Sequence, residues 1–421
     1  MKTGIFQYNV YFILDTLKEC GYKAYLVGGC VRDWLMDRKP KDWDICTNAT
    51  PEQVKEAFKG KEGLSFVDTG IKHGTITLFF PDKTGYEITT FRIDKEYTDN
   101  RHCEVEFTSD LQEDLARRDF TINALAYNYD EGIQDYFGGQ EDLNSEVIRC
   151  VGNPDERFNE DALRILRALR FKTQLDFEIE EETEKSLLRN AHLLRNISKE
   201  RIRDELNKIL YYQEKCHKTI NKYFDVFKRY VFNTDKLTKL KDNEDFLELF
   251  LFSKEVYLAY LLKELPVDEA ISLLATTRGL RYDNKTIDTI KNIMLYSKVD
   301  IIKEDEKAQK YYLKKLINAI GDDVCFVISY IFYVTEDTEA YEKLYHSYCK
   351  AKHKECCKIS DLVVNGNDLK EANFEGKEIG YVLNIIFDEV IKENINNNIH
   401  SINHFIRENY KELKKGVYHI E

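Results

Sequence analysis

Glycine and proline crowd into the first third of this 421-residue chain. Thirteen of its 19 glycines lie at or before Gly152, four of its five prolines at or before Pro154, and only Pro266 comes later. Both residues punctuate turns, and their scarcity permits long helices. Residues 1–155 therefore read as a mixed α and β region, and the remainder as almost wholly helical, an α+β fold class overall. The chain is also too long for one compact domain.

β-type runs occur at Lys23–Val27, Thr75–Phe80, Tyr86–Phe91 and Val147–Val151, each ending near glycine or proline or alternating at period two. Helices fit Phe6–Cys20, Val31–Met36, Pro51–Phe58 and Leu111–Leu125, then Asn159–Phe171, Glu180–Leu194 and Ser198–Leu210. Ser198 suits an N-cap, with Glu200 in the first turn.

Composition narrows the class. Hydrophobic residues make up 43% and charged residues 33%, enough for a real core. No uninterrupted apolar stretch approaches the ~20 residues of a membrane span, so no membrane partner is expected. The start has no signal-peptide h-region, and ten cysteines lack framework spacing, which together predict a cytoplasmic chain with reduced thiols. Cys349, His353, Cys356 and Cys357 have the right types for zinc, but their spacing matches no standard structural site. A net charge of −13 argues against indiscriminate coating of nucleic acid, yet leaves room for a local basic groove.

Five segments carry the chemistry. In Leu26-Val-Gly-Gly-Cys-Val-Arg-Asp33 a strand runs into Gly28 and Gly29 and then into a helix. Glycines let backbone approach a ligand, helix N-termini offer free N–H groups to phosphate, and Arg32 adds a bidentate donor. In Lys41-Asp-Trp-Asp-Ile-Cys46, strand periodicity would put Asp42 and Asp44 on one face, as two hard oxygen ligands for Mg²⁺. Glu87, in an otherwise apolar and β-branched strand, is the candidate third carboxylate. Arg117, Arg118 and Asp119 are expected to open a helix, with one arginine serving phosphate. Asp161, Arg164, Arg167 and Arg170 recur every three residues as a polar stripe. Asp161 and Arg164, one helix turn apart, could accept from the exocyclic amine and donate to the ring nitrogen of cytosine or adenine. Each segment alone has a plainer reading as a turn, a solvated strand edge or a surface ion pair.

Taken in order, Gly-Gly-x-Val-Arg-Asp, Asp-x-Asp, Arg-Arg-Asp-Phe-Thr-x-Asn-Ala, Glu-Asp-Ala-Leu-Arg-x-Leu-Arg-Ala-x-Arg-Phe and Ser-Lys-Glu-Arg-Ile resemble the class II tRNA nucleotidyltransferases. These are the CCA-adding enzymes of bacteria and eukaryotes, with bacterial poly(A) polymerases as close relatives. The resemblance is dense from Ala24 to Leu210 and resumes in Asp361–Leu369 and Gly376–Leu383.

The resemblance implies a polymerase-β-like nucleotidyltransferase head (1–155), then a helical neck (156–215), body (216–300) and tRNA-binding tail (301–421). It implies template-independent addition of CCA to tRNA from CTP and ATP with Mg²⁺. Asp42 and Asp44 match the metal ligands; Gly29, Arg32 and either Arg117 or Arg118 match nucleotide contacts. Asp161 and Arg164 match the base-reading pair, followed by Arg167 and Arg170. The segment Asp94–Phe107 resembles the family's flexible loop at full length, with Cys103 where proline is usual. Poly(A), A-adding and CC-adding activities are the same-fold alternatives. Ala162 follows Glu-Asp where poly(A) polymerases tend to have proline. An RNA-binding protein with an inactive head is the non-enzyme alternative, which the intact Asp42 and Asp44 oppose.

Overall fold

A computed structural model describes residues 8–97, 103–242, 253–275 and 279–418. It divides into two compact units, residues 1–235 and 236–421.

The first unit is built around a seven-stranded sheet in the order β3-β4-β5-β2-β1-β8-β9. These strands are β1 (Ala24–Val27), β2 (Ile45–Thr47), β3 (Ser65–Gly70), β4 (Thr75–Phe79), β5 (Gly85–Thr90), β8 (Leu125–Asn128) and β9 (Gly132–Asp135). Neighbours are antiparallel except β2 and β5, which run parallel. All four residues of β1 are buried, because both faces of the sheet are covered. Ala24 and Leu26 face a core with Val10, Ile13, Leu14 and Leu17 of α1 (Tyr8–Glu19) and Val54 of α3 (Pro51–Ala57). Tyr25 and Val27 face the opposite core, with Phe91, Ala126 and Val151. Period-two alternation thus serves two cores at once.

Topology brings several chain segments to one end of the sheet. β1 exits into Gly28 and α2 (Gly29–Leu35). Its antiparallel partner β2 enters beside that exit, where Val27 N–H donates to the Asp44 carbonyl at 3.0 Å. β5, parallel to β2 with Ile45 opposite Ile88, brings Glu87 to the same end. Gly28 N–H donates to Leu125 O at the start of β8.

Several local expectations are corrected. The helix expected over Leu111–Leu125 stops early, as α4 (Leu111–Ala116). Asp119 then accepts from its neighbour Phe120 N–H and from Asn123 Nδ2, a 3₁₀ turn follows at Thr121–Asn123, and the chain becomes β8. A short acceptor side chain competes here with helical hydrogen bonding. The same effect splits the expected Asn159–Phe171 helix into α6 (Pro154–Glu160) and α7 (Leu163–Leu175): Asp161 is extended and its Oδ1 accepts from Leu163 N–H. Ser198 stands at the N-cap of α9 (Lys199–Tyr211), but its side chain makes no capping bond. The Asp94–Phe107 segment contributes to antiparallel strands β6 (Arg92–Tyr97) and β7 (Cys103–Phe107); residues 98–102 lie outside those described. Val147–Ile148 (β10), in the mixed region, pairs in parallel with Glu178–Ile179 (β11) in the helical part.

The second unit is helical among its described residues. One core gathers Leu313, Ile317, Val327, Ile331 and Leu344, and another gathers Leu369, Phe374, Ile386, Phe405 and Leu413. By length and composition Glu306–Thr335 is apolar enough to cross a membrane. Here it is two helices broken by a 3₁₀ turn at Gly321–Asp323, with Leu313, Leu316, Ile317, Val324, Val327, Ile328 and Ile331 in the first of these cores. Cys357 is buried in that core and donates to the Ala351 carbonyl at 3.2 Å, while Cys356 packs against the other.

Candidate active site

A cavity of about 1070 Å³ opens at the end of the sheet where β1 exits and β2 enters. Eleven sequence-predicted site residues line it together: Gly28, Gly29, Arg32, Asp42, Asp44, Arg117, Arg118, Asp161, Arg164, Arg167 and Arg170. Glu87 does not line it, although the parallel register of β2 and β5 makes it the neighbour of Asp44. Twelve arginines and lysines line the cavity against five aspartates, a strongly basic pocket in a chain of net charge −13. The field that a ligand meets is therefore the reverse of the chain's overall charge.

Asp42 and Asp44 precede β2 rather than lie within it, yet both reach the cavity. Confinement by the cavity walls raises the Asp44 carboxyl above its ordinary value. The charge of Glu87 adds to this, Arg118 opposes it, and Asp42 contributes further in the same direction. Negative charge gathered on hard oxygen donors is the condition that a divalent cation relieves, so this donor set fits one. Among the described residues no group of three or more His, Cys, Asp or Glu forms a ready-made cage. The three-carboxylate cluster expected from sequence is thus a pair plus a neighbour. Two protein carboxylates with remaining positions left to phosphate and water is the usual Mg²⁺ pattern.

The arginines divide into anchored and available. Arg32 is buried; its Nη1 donates to Asn123 Oδ1 at 2.6 Å, and its Nε and Nη2 donate to Asp33. Arg117 donates twice to Asp114 Oδ1, at 3.0 and 2.8 Å. Arg118 makes one longer bond to Asp114 Oδ2, at 3.4 Å, and packs beside Gly28, while its buried Nε has no hydrogen-bond partner among the described residues. Arg170 also has a buried Nε without such a partner, and burial lowers its pKa despite Glu205. Orphaned buried donors facing a cavity call for an acceptor. Arg32, Arg167 and Arg170 crowd the Phe171 ring, at 5.1, 5.5 and 4.3 Å from its centroid.

Asp161 and Arg164 are each held by other partners. Asp161 is gripped by Arg201, with Nη2 to Oδ2 at 2.7 Å and Nη1 to Oδ1 at 3.3 Å. Arg164 is buried and donates to Glu160, to the Arg157 carbonyl and to the Arg117 carbonyl. Arg167 donates to Asp119 Oδ2 at 2.7 Å.

Sequence reading assigned no role to Asp119, Asn123 or Arg201. Each lies inside a quoted motif, so the signal was there, but only the fold shows that Asn123 and Asp119 connect Arg32 to Arg167. The basic loop Arg38–Lys41 was also passed over, and a cluster of three cations beside Asp42 was its signal.

Comparison with known proteins agrees with this geometry. Residues 24–149 match the profile described as "Poly A polymerase head domain", 176–221 that described as "Probable RNA and SrmB- binding site of polymerase A", and 253–406 that described as "tRNA nucleotidyltransferase domain 2 putative". A CCA-adding enzyme of Ligilactobacillus salivarius is 36% identical over 397 residues, 91% of this chain and 92% of that one. The chain belongs to the CCA-adding enzyme family. A CCA-adding enzyme of Lactobacillus helveticus is 51% identical over 198 residues; this match spans 47% of the chain and about half of the relative, 48%. The crystal structure of the Bacillus stearothermophilus CCA-adding enzyme in complex with CTP superposes with a TM-score of 0.76 at 29% identity, covering 96% of this chain and 98% of that one. Nucleotidyltransferases of this polymerase family generally use a divalent metal.

Proposed function

We propose that this protein adds C, C and A in turn to the 3′ end of tRNA, using CTP and ATP and releasing pyrophosphate, in the cytoplasm. The observation that carries the reading is the single basic cavity that unites Asp42 and Asp44, the Gly28-Gly29 turn and the stripe from Asp161 to Arg170. The relative with CTP bound supports the same substrate class. Head (1–155), neck (156–215), body (216–300) and tail (301–421) are the corresponding parts, with the tail docking tRNA.

The tRNA 3′-hydroxyl attacks the α-phosphorus of the nucleotide. The new ester bond forms, the bond to the bridging oxygen breaks, and pyrophosphate leaves with the electron pair. Asp42 and Asp44 would hold a divalent cation, Mg²⁺, which when bound neutralises phosphate charge and stabilises the attacking and leaving oxygens. Glu87, the register neighbour of Asp44, aligns the hydroxyl or takes its proton. Arg118, with its buried unpaired Nε, and the Gly28-Gly29 turn receive the triphosphate. Catalysis is then mostly positioning and charge stabilisation.

Without a template, protein groups must choose the base. Asp161 accepts from the amine of cytosine or adenine, and Arg164 donates to the adjacent ring nitrogen; uracil and guanine present the inverse pattern. Arg201 holds the Asp161 carboxylate and Glu160 holds the Arg164 guanidinium, so both groups are positioned before a base arrives. The test is to incubate tRNA lacking CCA with all four nucleotides and sequence the product ends. CCA alone is expected; CC alone, a single A or an oligo(A) tail would replace this reading with one of its same-fold alternatives.

A further inference from the structure

Three cations stand at the cavity lining without an acidic partner. Arg38, Lys39 and Lys41 are exposed, occupy the loop between α2 and β2, and enter no ion pair among the described residues. Lys41 immediately precedes Asp42. Its Nζ lies 5.7 Å from the ring centroid of Tyr211, the last residue of α9. Tyr211 is 69% exposed, the second most exposed large hydrophobic side chain among the described residues. Its neighbour Tyr212 lines the cavity and packs edge-on to it, with centroids 5.4 Å apart at 88°.

An exposed aromatic face beside unpaired cations is the composition of a single-strand binding site, where bases stack and phosphodiesters meet positive charge. Phe171, the only phenylalanine lining the cavity among the described residues, cannot serve, since three guanidinium groups crowd it. We propose that the rim formed by Arg38, Lys39, Lys41 and Tyr211 is the subsite for the unpaired 3′-terminal nucleotides of the acceptor strand, with Tyr211 as the stacking platform. This rests on the reading of the cavity as a tRNA-extending site. Chemistry favours a platform over a hydrogen-bonding pocket here. The product of each round is the substrate of the next, so the terminal base changes, and stacking tolerates any base.

The test uses the full chain and an RNA minihelix lacking CCA, with 2-aminopurine as its last nucleotide. Fluorescence titration without nucleotide should show quenching by the wild type, Tyr211→Phe and Tyr211→Trp. Tyr211→Ala should lose the quenching and bind about tenfold more weakly, as the loss of one stacked base predicts. The KM for CTP should not move, and thermal melting, expected to be unchanged for so exposed a side chain, reports folding. Replacing Arg38, Lys39 and Lys41 together by Ala should reduce the slope of log Kd against log salt by about 2. Wild-type minihelix affinity in Tyr211→Ala overturns the proposal, as does a raised KM for CTP with unchanged minihelix affinity, which would move Tyr211 to the nucleotide site. If the wild type extended no tRNA, the functional reading would fail, while the binding titration would still report on the platform.

Discussion

Arg118 lies so close to Gly28 that a Cβ built on the glycine would come 2.9 Å from the Arg118 Nη1 nitrogen. Gly28 also has φ of +79°, in the left-handed region. The turn and the guanidinium are thus one object: the glycine is absent of side chain where the arginine stands. Gly28→Ala should destabilise the fold by about 1–2 kcal/mol from backbone strain alone. It should also displace Arg118 and raise the KM for CTP. Denaturant unfolding and steady-state kinetics read the two effects separately, and an unchanged KM would detach Arg118 from the triphosphate.

Asp42→Ala or Asp44→Ala should lower turnover by at least about 100-fold while tRNA affinity stays near wild type. Chelation of divalent cations should reproduce the loss in the wild-type protein, and added Mg²⁺ should reverse it. Comparable turnover in Asp44→Ala would remove the pair from the chemistry.

Base choice should reside in the broken helix. Asp161→Ala combined with Arg164→Ala should lower the ratio of CTP to UTP incorporation, since a good bidentate base contact is worth about 1–3 kcal/mol. Arg201→Ala should shift the same ratio by releasing the Asp161 carboxylate, although Arg201 need not touch the base. An unaltered ratio in the double variant would return the stripe to a structural role.

Acid stability should carry the signature of Asp119. Its burial alone would raise the carboxyl, but the Arg167 guanidinium, the Asn123 amide and the charge of Arg164 together hold it down at about 2. A pKa lowered by folding stabilises the native state fully above the unfolded value near 4, and this contribution is lost as pH falls through about 2. It amounts to roughly 2 kcal/mol at neutral pH. Asp119→Asn should therefore lower neutral stability by at least that much and flatten the decline between pH 4 and 2. Chemical denaturation at a series of pH values reads both.

The tail can be trimmed without cutting a core in half. A chain ended after Lys358 retains Leu344, Tyr348, Ala351 and Cys357 in one core and loses the other, around Phe374 and Ile386. We expect tRNA affinity to fall about tenfold, with a weaker salt dependence, and the KM for CTP to persist. Normal tRNA binding would make the removed segment structural.

The residues of the site were legible in sequence because backbone constraints and chemistry coincide there. Gly28 marks the end of β1, and Asp42 and Asp44 sit in the only approach to β2. Where two local tendencies compete, legibility failed. The apolar pattern of Leu111–Leu125 suits a helix, yet Asp119 captures Phe120 N–H and Asn123, and the apolar residues Leu125 and Ala126 become an inner strand. Three-residue spacing suggested one continuous helix through Asp161 and Arg164, but Asp161 is extended between two helices and its carboxylate accepts from Leu163 N–H. The pairing of Asp161 with Arg201 joins residues 40 apart, which periodicity does not reveal.

The parallel bridge between β10 and β11 crosses the residue 155/156 boundary at which sequence alone divides head from neck. Arg167 reaches back across the same boundary to Asp119, and Arg164 to the Arg117 carbonyl. Exchange of parts between relatives is thereby constrained: a chimera spliced near 155 would sever a strand pair and two arginine contacts, whereas one spliced near 235, where the two compact units meet in the chain, would transplant the carboxylates and the Asp161–Arg170 stripe as a single inheritable cassette.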